Sequence, residues 1–421
     1  MNWTPDLLSW LNTEEGRNLL KETESLPSNT LTRLTHLRKR LPAETANALI
    51  ETLTLRTKAK ERFIHAEKML FTRPGLEQAT GEVMARYHAQ RLQHAGTVLD
   101  ACCGLGGDAL ALLKLGRVLA VERDPITLTC LKTNAENLLP ERVHDLATLC
   151  ADVTQLPLQH LRDSGVNAVL FDPARRITTA TGESRRARNT EDYTPPLSFL
   201  EPLRTLFPSV CVKLSPATEE ATLQRYAGEA EIELLSTSGE CREALLWFGE
   251  AKEPKGMPLF RAGEFSYRAT LVQANGETRS LLPVPCEEPS YVEPQAWLYE
   301  PDPAIIRAHL VAQLATQSGI NLITPNIAYM TSSEPLDIPF TKTYRILATL
   351  PYRPNAIRQW LQAQGRTLDT VKKRGVALEP EKVLKEFRTK KREGTPITLV
   401  LMPYFEKTIA ILCEPPQGKS F

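Results

Sequence analysis

The sequence predicts an α/β protein. A mainly parallel sheet covered by helices follows a helical N-terminal region and precedes a small α+β domain. Three observations predict this. Between residues 97 and 250 short apolar runs alternate with helix-like segments, and such alternation builds a parallel sheet buried on both faces. The run Val98-Leu99-Asp100-Ala101-Cys102-Cys103-Gly104-Leu105-Gly106-Gly107-Asp108 carries an apolar strand into a carboxylate, through three glycines and into a helix. Charge is uneven: residues 341–421 hold 16 Lys or Arg and 7 Asp or Glu, although the whole chain has a net charge of only +1.

Residues 1–95 read as mostly helical. Leu7, Leu8 and Leu11, continued by Leu19 and Leu20, give one apolar stripe, and Ala46, Leu49, Ile50 and Leu53 give another. Pro27 and Pro42 interrupt the pattern. The stretch Phe71 to Thr80 reads as a turn leading into a helix that runs to about Leu92, placed to cover the glycine loop. From 96 to 250, strands are expected at 97–100, 118–122, 146–151, 167–171, 209–214, 231–237 and 243–248. Helices are expected at 107–115, 125–137, 197–205 and 217–226. Residues 251–330 read as a connecting region with a hairpin turning at Asn275-Gly276 and a helix over 303–317. The segment 331–421 mixes helices (354–364, 379–390) with strands (344–350, 397–402, 408–413).

Composition narrows the class. A chain of 421 residues with 42% hydrophobic and 24% charged content has the length for two or three domains and the makeup of an ordinary soluble protein. No apolar run is long enough to span a bilayer, and Met1-Asn2-Trp3-Thr4-Pro5-Asp6 is not a secretory leader. Eight cysteines with no C-x-x-C spacing argue against a disulfide scaffold and a zinc site. The adjacent Cys102 and Cys103 favour a reducing cytoplasm. No cysteine lies beside the fourth acid described next, which argues against a cysteine nucleophile.

Four strand candidates end in acids: Asp100, Glu122, Asp152 and Asp172. Ligands of parallel α/β sheets bind outside the carboxyl ends of the strands, and an acid at the second strand suits a ribose. Gly104-Leu105-Gly106-Gly107-Asp108-Ala109 satisfies the dinucleotide pattern G-x-G-x-x-G/A. Asp100, however, would repel a pyrophosphate and attract an ammonium. Four acids in this order suit S-adenosylmethionine, with its amino, ribose, adenine amine and sulfonium groups. The order and spacing resemble class I S-adenosylmethionine-dependent methyltransferases, with a nicotinamide dehydrogenase as the alternative.

At the fourth acid, Asp172 and the Pro173 carbonyl are placed to accept hydrogen bonds from an exocyclic amine and aim its lone pair at a methyl donor; Ala174 and Arg175 complete the motif. Arg175, Arg176, Arg185, Arg186 and Arg188 make the 174–194 loop read as a mobile basic flap for substrate phosphates. Tyr193 and Phe171 are candidates for stacking on a base, with core packing the stronger expectation for Phe171. Lys213 lies at the same sheet edge, placed either to touch substrate or to pair with an acid. Trp247 and Phe248 read as core. In the tail, Lys372-Lys373-Arg374-Gly375 and Arg388-Thr389-Lys390-Lys391-Arg392 are basic clusters, with Gly375 in a turn able to offer N–H groups to phosphate and Tyr344, Tyr352 and Trp360 interleaved.

A more specific resemblance spans nearly the whole chain. Phe71 to Thr80, Asp100 to Asp108, Ala120 to Pro125, Phe171 to Arg176, Leu246 to Gly249, Tyr299 to Pro303 and Val371 to Val376 together resemble a bacterial family that joins a helical region, a methyltransferase domain and a THUMP-like domain. The glycine loop and the segment before it also resemble those of trimethylguanosine synthases. The resemblance implies a Rossmann-like seven-stranded sheet, S-adenosyl-L-methionine as cofactor, no metal, and an RNA partner held by the basic C-terminal domain. It implies a cofactor set of Thr72, Asp100, Cys102, Gly104, Gly106, Gly107, Glu122, Arg123, Asp152, Val153 and Asp172, and an acceptor set of Asp172, Pro173, Ala174 and Arg175. One departure stands out. Amino-group methyltransferases carry Pro-Pro and an aromatic after the fourth acid, whereas Ala174 and Arg175 stand here, without the stacking ring. Three readings follow: an RNA methyltransferase, a protein or small-molecule methyltransferase, and an RNA-binding protein that keeps the pocket without catalysis.

Overall fold

The computed structural model describes residues 3–27, 29–178, 184–187, 189–253, 258–261, 264–387 and 394–416. The chain forms two compact units. The first comprises Met1–Ile232, Glu243–Pro254 and Ala274–Glu277; the second comprises Glu233–Arg242, Lys255–Gln273 and Thr278–Phe421.

The first unit opens with six helices: α1 (Pro5–Leu11), α2 (Glu14–Ser25), α3 (Thr30–Leu37), α4 (Ala43–Ala59), α5 (Arg73–Gln78) and α6 (Glu82–Arg91). Thr4, Thr13 and Asn29 cap the first three with side-chain oxygens that accept from backbone N–H groups. Leu8, Leu11 and Leu20 are buried, as are Ala46, Leu49 and Leu53, so both expected stripes face a core. The helix expected to run on to Leu92 is two helices, α5 and α6, separated by Ala79, Thr80 and Gly81. That break frees Thr80 for the site described below.

All seven expected strands form: β1 (Thr97–Ala101), β2 (Arg117–Glu122), β3 (Leu146–Cys150), β4 (Val166–Phe171), β5 (Ser209–Leu214), β6 (Glu231–Thr237) and β7 (Glu240–Gly249). The first unit orders them β3-β2-β1-β4-β5-β7, parallel throughout except for antiparallel β7. Glu231 and Ile232, the start of β6, also belong to this unit. Helices α7 (Gly107–Leu113), α8 (Pro125–Leu138), α9 (Leu158–Asp163), α10 (Leu200–Leu206) and α11 (Glu220–Gln224) connect them. Every residue of β5 is buried, as expected for a central strand covered on both faces. Asn134 of α8 holds the helical region to the sheet layer: its side chain accepts from Leu70 N–H at 2.7 Å and donates to Leu70 O at 3.1 Å, fully buried.

The second unit contains β8 (Arg268–Val272) and β9 (Thr278–Leu281), an antiparallel pair with β8 parallel to β6. Its larger sheet is built from β10 (Trp297–Pro301), β11 (Asn321–Thr324), β12 (Ile327–Ser332), β13 (Thr341–Pro351), β14 (Arg366–Lys373), β15 (Thr395–Tyr404) and β16 (Lys407–Cys413), in the order β11-β12-β10-β13-β16-β15-β14. Only β14–β15 is parallel. Helices α12 (Pro303–Arg307), α13 (Val311–Ser318), α14 (Pro354–Ala363) and α15 (Pro380–Glu386) complete it. Ile357, Leu361, Val383 and Phe387 pack on Ile397, Leu399, Leu401 and Leu412, with Trp360 against them, so Trp360 is a core ring. The helix expected over 303–317 is interrupted between α12 and α13, where His309 adopts a φ of +59°. The expected connecting region is itself structured: β10, β11 and β12 lie in one sheet with the C-terminal strands. Among the described residues, no helix is long and apolar enough to cross a membrane.

Candidate active site

β1 ends at Asp100, and the chain turns at once. The N–H groups of Cys102 and Cys103 donate to Val121 O at 3.1 and 3.0 Å, fixing the turn to β2. Cys102, Gly104 and Gly106 take φ values of +71°, +54° and +89°. The three glycines are not equivalent. A Cβ added at Gly104 would meet no atom within 4 Å, so its bare backbone borders open space. At Gly106 a Cβ would strike the Leu131 side chain of α8, and at Gly107 the Thr80 carbonyl. Gly106 and Gly107 are thus required for close packing, and Gly104 is the glycine that faces open space.

Asp100 is 2% exposed, and its Oδ2 has no hydrogen-bond partner among the described residues. Burial, reinforced by the charge of Asp108, pushes its carboxyl well above the usual range, and Lys213 offsets this only in part. A buried carboxyl at a sheet rim, its charge only partly offset, fits a cationic ligand group. Glu122 at the tip of β2 accepts from Gly104 N–H at 3.2 Å and Asp124 N–H at 3.0 Å, which sets its carboxylate against the glycine loop. Beyond β3, Asp152 accepts from the N–H and hydroxyl of Thr154 at 2.9 and 2.8 Å, and these bonds hold its carboxyl low.

The remaining expected cofactor residues have local duties. Thr72 Oγ1 accepts from Gly75 N–H at 3.1 Å and caps α5, whose Gly75 lies close against Leu105 of the loop. Val153 is buried. Arg123 is exposed, and its carbonyl accepts from the Cys150 thiol at 3.7 Å. Burial, with Glu122, Asp100 and Asp172 nearby, pushes the Cys102 thiol well up; Cys103 is pushed up likewise by burial, Asp100 and Glu122. Both stay protonated and serve as loop-packing groups rather than nucleophiles.

β4 ends at Phe171, and Asp172 follows with its side chain 23% exposed. Pro173 is buried. Ala174 exchanges backbone hydrogen bonds with Thr194 at 2.9 and 3.0 Å, and Arg175 O accepts from Ala187 N–H at 2.8 Å. Beyond that, 176–178 pair antiparallel with 184–186. The expected loop is therefore a paired ribbon rooted beside the acceptor motif, because Ile177 and Thr178 favour extended backbone that finds a partner strand. Residues 179–183 and Arg188 lie outside the described residues, as do the side chains of Arg176, Arg185 and Arg186. Tyr193 is 5% exposed and Phe171 is fully buried, edge-on to Phe199 at 5.8 Å. Neither ring is available for stacking on a base, which corrects the expectation for Tyr193. Trp247 and Phe248 are core, as expected.

One cluster was not legible in the sequence. The Lys213 ammonium, 1% exposed, sits 2.6 Å from Asp108 Oδ2 and 2.8 Å from Asp172 Oδ2, and donates to Thr80 Oγ1 at 2.5 Å. Asp108 also accepts from the Thr80 hydroxyl at 2.7 Å and faces His88 Nδ1 at 2.7 Å; His88 Nε2 lies 2.9 Å from Glu243 Oε2. Burial opposes charge on both cations. For Lys213, Asp108, Asp172 and Glu243 outweigh it and raise the ammonium well above its ordinary value. For His88, Glu243 and Asp108 raise the ring to about 9. Both imidazole nitrogens face carboxylates, which requires the doubly protonated ring.

In the second unit the basic cluster at 372–374 is partly neutralised. Glu300 of β10 takes Lys372 at 2.5 Å and Arg374 at 3.5 Å and accepts from the Tyr344 hydroxyl at 3.0 Å. Tyr344 is fully buried and unavailable to a ligand. Gly375, φ +67°, is packed under Ile327 and Pro403, where a Cβ would clash. These contacts correct the expectation that the cluster as a whole is displayed to phosphate. The cluster at 388–392 lies outside the described residues.

Known proteins resemble this chain. Over 364 residues, 84% of this chain and 91% of theirs, the sequence is 31% identical to proteins of two Mycobacterium tuberculosis strains described as uncharacterized S-adenosylmethionine-dependent methyltransferases. Residues 341–415 match the THUMP domain-like family, and residues 4–59 match a family described as a domain of unknown function. A crystal structure from Porphyromonas gingivalis W83, of a protein to which methyltransferase activity is provisionally ascribed, superposes with a TM-score of 0.68 at 18% identity, covering 97% of this chain and 96% of that one.

Proposed function

The chain belongs to the S-adenosylmethionine-dependent methyltransferases, and from that premise we propose that it methylates RNA on a base, with an exocyclic amine as acceptor. S-adenosylmethionine supplies an electrophilic methyl group on its sulfonium; the chain's own residues bind, orient and exclude water.

In this reading Asp100 takes the cofactor ammonium, Glu122 the ribose hydroxyls and Asp152 the adenine amine. Gly104 gives the close approach. Thr72, Cys102, Gly106, Gly107, Arg123 and Val153 shape the cradle through caps, packing and backbone. Asp172 and the Pro173 carbonyl accept hydrogen bonds from the acceptor N–H groups, which turns the nitrogen lone pair toward the methyl group. Ala174 fixes the rim through its bridge to Thr194, and Arg175 serves a substrate phosphate. The observation that carries the cofactor part is the buried, unpartnered Asp100 oxygen beside the open space at Gly104.

The RNA part rests on the THUMP domain-like match over 341–415 and on the net positive charge of that segment. The experiment is transfer of labelled methyl groups to RNA, protein and small-molecule pools from cells lacking the gene. Label in RNA that disappears with Asp172→Ala is the expected result. Label in protein or small molecules instead, or cofactor binding without transfer to any pool, would overturn it.

A further inference from the structure

Lys213 reaches two functions with one ammonium. Through Asp108 it holds the first turn of α7, the helix that continues the glycine loop; through Asp172 it holds the acceptor rim at the tip of β4. Its third partner, Thr80, lies in the break between α5 and α6, and the Thr80 carbonyl is the atom against which Gly107 packs. We infer that Lys213 is a positioning residue for methyl transfer: it fixes the Asp172 carboxylate in place relative to the glycine loop. The inference rests on the acceptor role proposed for Asp172.

The physical case is one of geometry and charge. Asp172 is flanked by Asp100 on β1 and Lys213 on β5, with Asp108 on α7 and Glu243 on β7 sharing the same ammonium, His88 on α6 behind them, and the protonated Cys102 thiol in the loop. Among the described residues, Lys213 is the cation in contact with Asp172. With that ammonium gone, the Asp172 carboxylate loses its tie to β5 and, through it, to Asp108 and Thr80. A carboxylate free to leave its rotamer no longer holds an acceptor amine on the line of transfer, and a misplacement of this kind costs rate. A lysine with no task beyond stability would leave the kcat of the folded protein unchanged.

The test is the kcat of the full chain with Lys213→Met at saturating S-adenosylmethionine, read as labelled-methyl transfer to whichever pool from the gene-lacking strain accepts label. Binding of S-adenosylhomocysteine and thermal melting are measured beside it. The expected result is a loss of about 100-fold in kcat at saturating cofactor, far larger than any loss of cofactor-product affinity. Should Lys213→Met fail to fold, Lys213→Met/Asp108→Asn removes one buried charge of each sign and is read the same way. An unchanged kcat, or a loss of transfer that tracks the loss of binding and melting temperature, overturns the positioning role. Asp172→Ala with full transfer overturns the acceptor reading itself, and so does transfer to no pool. Inactivity of Asp172→Ala together with a parental kcat for Lys213→Met overturns the positioning role alone.

Discussion

His88 Nδ1 lies 2.7 Å from Asp108 Oδ1, and the ring is wholly buried while the carboxylate is 5% exposed. This pair joins α6 to the start of the glycine helix, and its energetics depend on pH in a defined direction. Burial disfavours the charged ring, but Glu243 and Asp108 outweigh it and lift the imidazole from 6.5 to about 9. A raised folded-state value means stability that is complete below about 6.5 and is lost as pH climbs through 9. The contribution is on the order of 3 kcal/mol. Urea unfolding at pH 6, 7.5 and 9 should show falling stability across that window, and His88→Gln should remove the slope along with much of the stability. A parent protein equally stable at pH 6 and 9 would contradict the doubly protonated ring.

Cofactor binding should release a proton. The Asp100 carboxyl is driven well above the carboxylate range by burial and by Asp108, and an incoming ammonium favours its ionised form. The carboxyl is therefore more acidic in the complex than in the free protein, so affinity rises with pH until free Asp100 is itself ionised. Calorimetry of S-adenosylhomocysteine in two buffers of different ionisation enthalpy reads the proton directly. Asp100→Asn should lose about 10- to 100-fold in affinity, the value of a charge-assisted hydrogen bond, together with the pH dependence. Equal heats in both buffers would sink this account.

The two positive-φ glycines of the loop should fail differently. Gly104→Ala meets open space, so it costs about 1 kcal/mol for the left-handed backbone; its main effect is weaker cofactor binding. Gly106→Ala adds a clash with Leu131 to the same backbone penalty and should destabilise by about 2–4 kcal/mol. Melting curves and cofactor titrations of the two variants separate the roles. Equal destabilisation of both would mean that Gly104 is also packed.

The acids at the strand tips were legible because they are local: each closes an apolar run, and the parallel sheet brings the ends of such runs to one edge. The Lys213 cluster was not, because its partners Thr80 and Asp108 lie 133 and 105 residues away in sequence. Only the fold brings them together, and the sequence left Lys213 between a substrate and an acid. β14 was missed for a related reason. Arg366-Thr367-Leu368-Asp369-Thr370-Val371-Lys372-Lys373 reads as a basic, polar segment, yet its backbone pairs in parallel with β15, a strand that follows it in the chain. Pairing of this kind overrides a weak local β-propensity, and it turned two displayed cations into partners of Glu300.

On the RNA reading, the tip of the β15–β16 hairpin is where contact with a base should be felt. Phe405 is 85% exposed with a φ of +50°, and its ring meets Tyr404 edge-on at 4.7 Å. Tyr352 N–H donates to Thr408 O at 2.9 Å, which brings the exposed Arg353 to the same end as the exposed Lys407; among the described residues neither forms an ion pair. An uncovered aromatic beside unpaired cations is the combination that stacks on unpaired bases while contacting the backbone. Phe405→Ala removes a ring that packs against little else, so melting should be unchanged. RNA affinity should fall by about 5- to 100-fold, the value of one stacked base. Arg353→Ala and Lys407→Ala should each lower the slope of log affinity against log salt by about one. Binding that stays salt-dependent but is indifferent to Phe405 would move the contact away from this hairpin and leave the ring without a role in recognition.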